Sequence, residues 1–96
     1  MDAVRLIGTK RIHEDGLIIQ TVVWWLPEPL PPSRHRYKYG LYCGRDGERI
    51  VGFDNERGKG DHRHIRGVES AYRFVSLERL LAEFAASIQQ VTGRSP

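Results

Sequence analysis

The sequence predicts an α+β domain, an antiparallel β-sheet of about five strands with a C-terminal α-helix packed on one face. Three observations predict it. Residues 34–43, RHRYKYGLYC, alternate with a period of two, which is the strand signature. Asp15-Gly16 and the run Gly44-Arg45-Asp46-Gly47 sit between such segments as hairpin turns do. Near the C-terminus, Leu77, Leu80, Leu81, Phe84, Ile88 and Val91 fall at offsets 0, 3, 4, 7, 11 and 14, one apolar stripe of helical period. That stripe needs a surface to cover, and the sheet supplies one.

In chain order, residues 4–13 read as a first, weak strand of mixed apolar and basic residues. Residues 17–26, LIIQTVVWWL, are β-branched and aromatic and apolar on both faces, as expected of a central strand covered on both sides. Residues 27–33, PEPLPPS, hold too many prolines for helix or central strand and form a stiff connector. In residues 34–43, alternation places His35, Tyr37, Tyr39, Leu41 and Cys43 on one face. Arg34, Arg36, Lys38 and Tyr42 take the other, where the three cations stand about 7 Å apart. Residues 48–54 return as the next strand, and a glycine-bearing loop follows over residues 55–60. Residues 61–66 alternate again, with His62, His64 and Arg66 sharing a face. Residues 72–75 are a short strand or an extended lead into the helix. Ser76 is a suitable N-cap for a helix over residues 77–91, and Gly93 stops it.

The 96 residues fit one small domain with a modest core and no internal repeat. Hydrophobic residues make up 40% and charged ones 28%, which excludes a disordered chain. A single cysteine, Cys43, cannot form an internal disulfide, so a reducing cytoplasm is the expected compartment. A strand cysteine is more often buried and inert than nucleophilic. Asp2 and Arg5 interrupt the start, so no secretory signal is expected there, and no apolar run is long enough to span a bilayer. The net charge of +3 permits a phosphate-bearing partner. Its distribution matters more. Residues 34–66 hold nine Lys or Arg against five acids, and three of the four histidines, which concentrates the basic character in mid-chain.

The densest polar stretch is residues 52–64, GFDNERGKGDHRH. On a strand, His62 and His64 point the same way. Such a pair can ligate a metal with Asp54, serve as acid and base on one phosphodiester, or simply face solvent. Histidine titrates near neutrality, so one imidazole can accept a proton while another donates one. Metal-free RNA cleavage also needs cations on the phosphate. Arg57, Lys59 and Arg63 are near in sequence, and His35 and Tyr37 begin the basic strand. Asp54 and Asn55 are common turn-capping types, and Asp54 can also orient a histidine. Trp24 and Trp25 point to opposite faces, one for the core and one a further core or base-stacking residue.

Residues 35–64, HRYKYGLYCGRDGERIVGFDNERGKGDHRH, resemble the TumE family of toxins from bacterial type II toxin–antitoxin modules. The specific part is His35-Arg36-Tyr37, Asp54-Asn55 and His62-x-His64. The Trp- and Pro-rich segment before it and the C-terminal helix fit the same layout. Some relatives carry a longer His- and Pro-rich insert after Asp-Asn, where this chain has the short ERGKGD. The resemblance implies a growth-arresting toxin paired with an antitoxin, typically a helix-turn-helix DNA-binding protein. By analogy with other small basic toxins it implies RNA as the target.

These readings combine into one expectation, a small metal-independent ribonuclease without cofactor. His62 and His64 form the acid–base pair, Asp54 orients it, and Arg57, Lys59 and Arg63 hold the phosphate. Arg34, Arg36 and Lys38 track the RNA backbone beside His35 and Tyr37. Two rivals stand beside it. One is a non-catalytic module that binds nucleic acid or protein through the basic sheet face. The other is a metal-dependent nuclease through Asp54, His62 and His64. An N-terminal edge strand or an exposed helix stripe offers a docking surface for the antitoxin, and a homodimer is compatible with either.

Overall fold

The computed structural model describes residues 2–96. Its elements are β1 (Val4–Ile12), β2 (Ile18–Trp25), β3 (Tyr37–Arg45), β4 (Glu48–Glu56), β5 (Gly60–Ile65), β6 (Val68–Ala71) and α1 (Leu77–Thr92). The strands form one sheet in chain order, each antiparallel to the next. Tight turns make this meander possible. Asp46-Gly47 and Arg66-Gly67 each place two successive residues at positive φ, the geometry that matches the twist of a two-residue hairpin.

The second of those hairpins adds a sixth strand, Val68–Ala71, where the sequence shows no apolar alternation. All four of its residues are exposed, so it is held by its ladder to β5 and not by burial. Of the two readings of residues 72–75, the strand is not formed; the stretch leads directly to the helix. Residues 34–36 also lie outside β3, and Asn55 lies inside β4, so the β4–β5 loop is shorter than expected.

Helix α1 crosses β3 and β4 on one face of the sheet. Ser76 caps it by accepting from the Arg79 N–H at 3.1 Å, and Gly93 ends it in the left-handed region. Leu80, Phe84 and Ile88 are buried against Val23, Tyr39, Leu41, Cys43, Val51 and Phe53. The Phe53 ring meets Phe84 and Tyr72 edge-on, at centroid distances of 6.0 and 5.1 Å. With a single helix, only one face is covered. Residues 17–26 are therefore not sheathed on both sides as their composition suggests, and Trp24 stays 37% exposed on the bare face. Among the described residues no helix is long and apolar enough to cross a membrane.

Candidate functional site

Register decides which side chains meet. Trp24 pairs with Lys38, Gly40 with Asp54, Asp54 with His62, Gly52 with His64, and His64 with Glu69. Directly opposed residues share a face. All of these therefore point away from α1, onto the bare face of the sheet.

At its centre two imidazoles converge on one carboxylate. His62 Nδ1 lies 3.1 Å from the Gly60 carbonyl, which can only accept, so Nδ1 carries a proton and Nε2 turns toward Asp54. His62 Nε2 contacts Asp54 Oδ1, and His64 Nε2 lies 3.9 Å from the same oxygen. That oxygen is buried yet receives no hydrogen bond, so the His62 contact lacks the direct approach a hydrogen bond requires. The two rings stand edge-on, 5.1 Å apart. Burial, and then the Arg49 guanidinium, lower the pKa of His64 from its ordinary value and favour the neutral ring. Glu69 Oε1 is 3.8 Å from His62 Nε2 and is held by Lys59 at 2.9 Å.

The surroundings of this centre are basic and partly aromatic. Lys38 donates to the backbone carbonyl of Asn55 beside it. Trp24, Val22, Lys38, Gly40 and Asp54 line a shallow groove that runs along the face. The Arg49 side chain occupies the space a Cβ on Gly52 would take. Sequence alternation puts Ile50 on this face. A bulge after Cys43 instead pairs Gly44 with Arg49, while Ile50 packs against the core.

The other expected residues do not join this centre. Arg63 points to the helix side, its guanidinium 6.0 Å from the Phe53 ring centroid. Arg36 lies over Trp25 at 5.9 Å, in a cleft with the proline segment and Arg57. Arg34 borders a separate depression with His35, Asp61 and Phe74. The row of Arg34, Arg36 and Lys38 is not formed, because β3 begins only at Tyr37. Of the expected set, the structure brings together Asp54, His62, His64, Lys59 and Lys38. Trp24 had a signal in its exposed-face parity. Arg49 and Glu69 had none, since one depends on a bulge and the other on an unpatterned strand.

His35 and Tyr37 belong to a second cluster on the helix side. Asp61 is its hub. It accepts from Ser33 Oγ, from His35 Nε2 at 2.7 Å and from the Tyr39 hydroxyl at 2.6 Å. The backbone N–H of Tyr37 donates to His35 Nδ1 at 3.1 Å, which fixes the tautomer with the proton on Nε2. The His35 ring stacks on Phe74 at a 3.7 Å centroid distance. This cluster ties the proline segment to the sheet. Pro32 lies so close to Gly60 that a Cβ there would come within 3.1 Å, and Gly60 holds a φ of +78°. The same glycine's carbonyl orients His62, so the segment supports the site from the opposite face.

Burial pushes the Asp61 carboxyl up, but the hydrogen bonds from His35, Ser33 and Tyr39 together outweigh it and hold the pKa below the ordinary 3.8. A depressed carboxylate contributes stability that is complete above its unfolded value and fades as pH falls through the folded one. The melting temperature is therefore expected to drop once pH falls below about 4. Asp61→Asn is expected to melt lower at neutral pH and to lose less on acidification. Parallel melting curves of the two proteins between neutral and acid pH check this.

A family model described as toxin TumE matches residues 2–92. No curated protein and no solved structure matches the chain.

Proposed function

The chain belongs to the TumE family of toxins, and from that membership we propose that it is the toxin of a type II toxin–antitoxin pair and that it cleaves RNA on the bare face of its sheet. One observation carries the choice of site. Asp54, His62 and His64 converge there, among Lys38, Lys59, Arg49 and the exposed Trp24. The cations attract a phosphate backbone, and an aromatic ring beside them can stack a base of any identity. The cognate antitoxin, in this reading a helix-turn-helix DNA-binding protein, keeps the activity in check.

Two chemistries can break a phosphodiester at this centre. In the metal-independent one, the 2′-oxygen attacks phosphorus and the bond from phosphorus to the 5′-oxygen breaks. One imidazole accepts the 2′-hydroxyl proton, and the other supplies a proton to the departing 5′-oxygen. That arrangement wants the phosphate between the two rings. Here the Asp54 carboxylate stands between them, and its charge repels a phosphate. This observation favours the second chemistry, in which the three side chains share a divalent ion that draws the phosphate in.

Gly40 offers a test of the surface independent of the reacting groups. A Cβ at Gly40 meets nothing within 4 Å, and the residue lines the groove beside Asp54. Gly40→Val is expected to fold at least as well as the parent, because a β-branched residue suits a strand. RNA binding is expected to weaken by about tenfold as the groove fills. Unchanged RNA binding and cleavage would show that RNA does not use this groove. Salt-sensitive RNA binding without any turnover would instead mark a non-catalytic module on the same face.

A further inference from the structure

We propose that Asp54, His62 and His64 form a binding site for one borderline divalent transition ion of the zinc class, with a coordination position open to the bare face of the sheet. The proposal deepens the ribonuclease reading and rests on it for the use of the ion, though not for its binding.

Four observations lead there. One ligand atom from each of the three residues lies within 4.8 Å of the other two. Ligands of a tetrahedral ion with bonds near 2.1 Å stand about 3.4 Å apart. The 3.9 Å between His64 Nε2 and Asp54 Oδ1 thus closes with a small side-chain rotation, and the closer His62 contact with the same oxygen opens to that spacing. Second, Asp54 Oδ1 is a buried anionic oxygen that receives no hydrogen bond, with His62 Nε2 in contact and His64 Nε2 3.9 Å away. A buried carboxylate oxygen needs a cationic or hydrogen-bonding partner, and an ion there provides one. Third, His62 donates Nδ1–H to the Gly60 carbonyl. Metal-ligating histidines are held in this way, by a carbonyl on the far nitrogen that leaves Nε2 as ligand. Fourth, the ladder between β4 and β5 fixes all three Cα positions, because Asp54 faces His62 and Gly52 faces His64. The absence of a side chain on Gly52 leaves room beside His64, which the Arg49 side chain partly occupies.

The donor set decides the kind of ion. Two imidazoles and one carboxylate suit zinc and its neighbours, whereas magnesium prefers an all-oxygen shell. Three protein ligands also leave a position for water or a phosphate oxygen, as in catalytic and not structural zinc sites. Glu69 stands near that position at 3.8 Å from His62 Nε2, but Lys59 holds it.

The test is zinc binding by the purified full chain, followed by calorimetry and by metal analysis after dialysis. The expected result is one Zn2+ per chain, not displaced by a roughly hundredfold excess of Mg2+. His64→Ala and Asp54→Asn, both on the outer side of the site, are each expected to weaken binding by more than about 100-fold, since even supporting partners cost 10–100-fold. His13→Ala, just past the end of β1 and three strands away from β4, is expected to bind zinc like the parent. Circular dichroism of each variant shows that it is folded. No stoichiometric binding, or binding unchanged in both site variants, overturns the proposal. RNA cleavage assayed on the same samples separates the two levels. Zinc bound at one per chain with RNA left intact upholds the site and removes the ribonuclease reading. RNA cleaved at full rate by chelator-treated, zinc-free protein upholds the ribonuclease reading and overturns the use of the ion in it.

Discussion

His64→Ala is expected to lower RNA cleavage by about 10²–10⁴-fold while leaving the melting temperature nearly unchanged. The split between activity and stability follows from where the ring sits. His64 lies on the bare face, away from the core beneath α1. It contributes an edge-on contact with His62 and a 3.9 Å approach to Asp54, and no hydrogen bond that the fold depends on. Whether it acts as an ion ligand or as a base, removing it removes the chemistry. His62→Ala is expected to be equally inactive but less informative. Its ring is 5% exposed and anchors the Gly60 carbonyl, so activity and stability fall together. Rates on a labelled RNA, with melting curves of the same preparations, check both variants.

The second large effect concerns stability alone. Asn55→Ala is expected to destabilise the domain by about 2–4 kcal/mol, because two buried backbone groups lose their partners. The ladder between β3 and β4 runs only as far as Gly40 and Asp54. Beyond it, the fully buried Asn55 side chain replaces the missing strand bonds. Its Oδ1 accepts from the Tyr39 N–H at 3.0 Å, and its Nδ2 donates to the Tyr37 carbonyl at 2.7 Å. Alanine can do neither. For a domain of this size the loss corresponds to a melting temperature lower by roughly 10–25 °C. Asn55 is thus the structural member of the Asp54-Asn55 pair, and Asp54 is the one left to face the site. A melting temperature within a few degrees of the parent would contradict the role given to Asn55.

Much of the fold was legible because the physics that sets it is local. The period of two in residues 34–43, the stripe from Leu77 to Val91 and the Asp-Gly turn each point to one element, and those elements form. What was not legible depends on pairing. Val68–Ala71 becomes a strand only because the Arg66-Gly67 turn lays it against β5. The start of β3 at Tyr37 is set by the tethering of His35 to Asp61, which bends residues 34–36 out of the strand. That displacement dissolved the expected row of Arg34, Arg36 and Lys38.

The site shows the same division. Strand parity was enough to put His62, His64 and Asp54 together, since residues two apart share a face and the turn brings β5 back on β4. Parity also places Arg63 on the far side, so nearness in sequence was a poor guide for it. Arg49 needed the bulge, Glu69 the sixth strand. The position of Asp54 between the two imidazoles is a matter of side-chain geometry, which no alternation pattern contains. It is this detail that moves the chemistry from an acid–base pair toward a shared divalent ion.

RNA cleavage at the Asp54–His62–His64 centre is the proposed cause of growth arrest. Its most direct test is induced expression of the wild type and of Asp54→Asn/His64→Ala, with growth and total RNA integrity followed in the same cultures. The expected result is arrest with fragmented RNA in the wild type, and normal growth with intact RNA in the double variant at equal soluble protein. Arrest with intact RNA in the wild type, or fragmentation that persists in the variant, would contradict it.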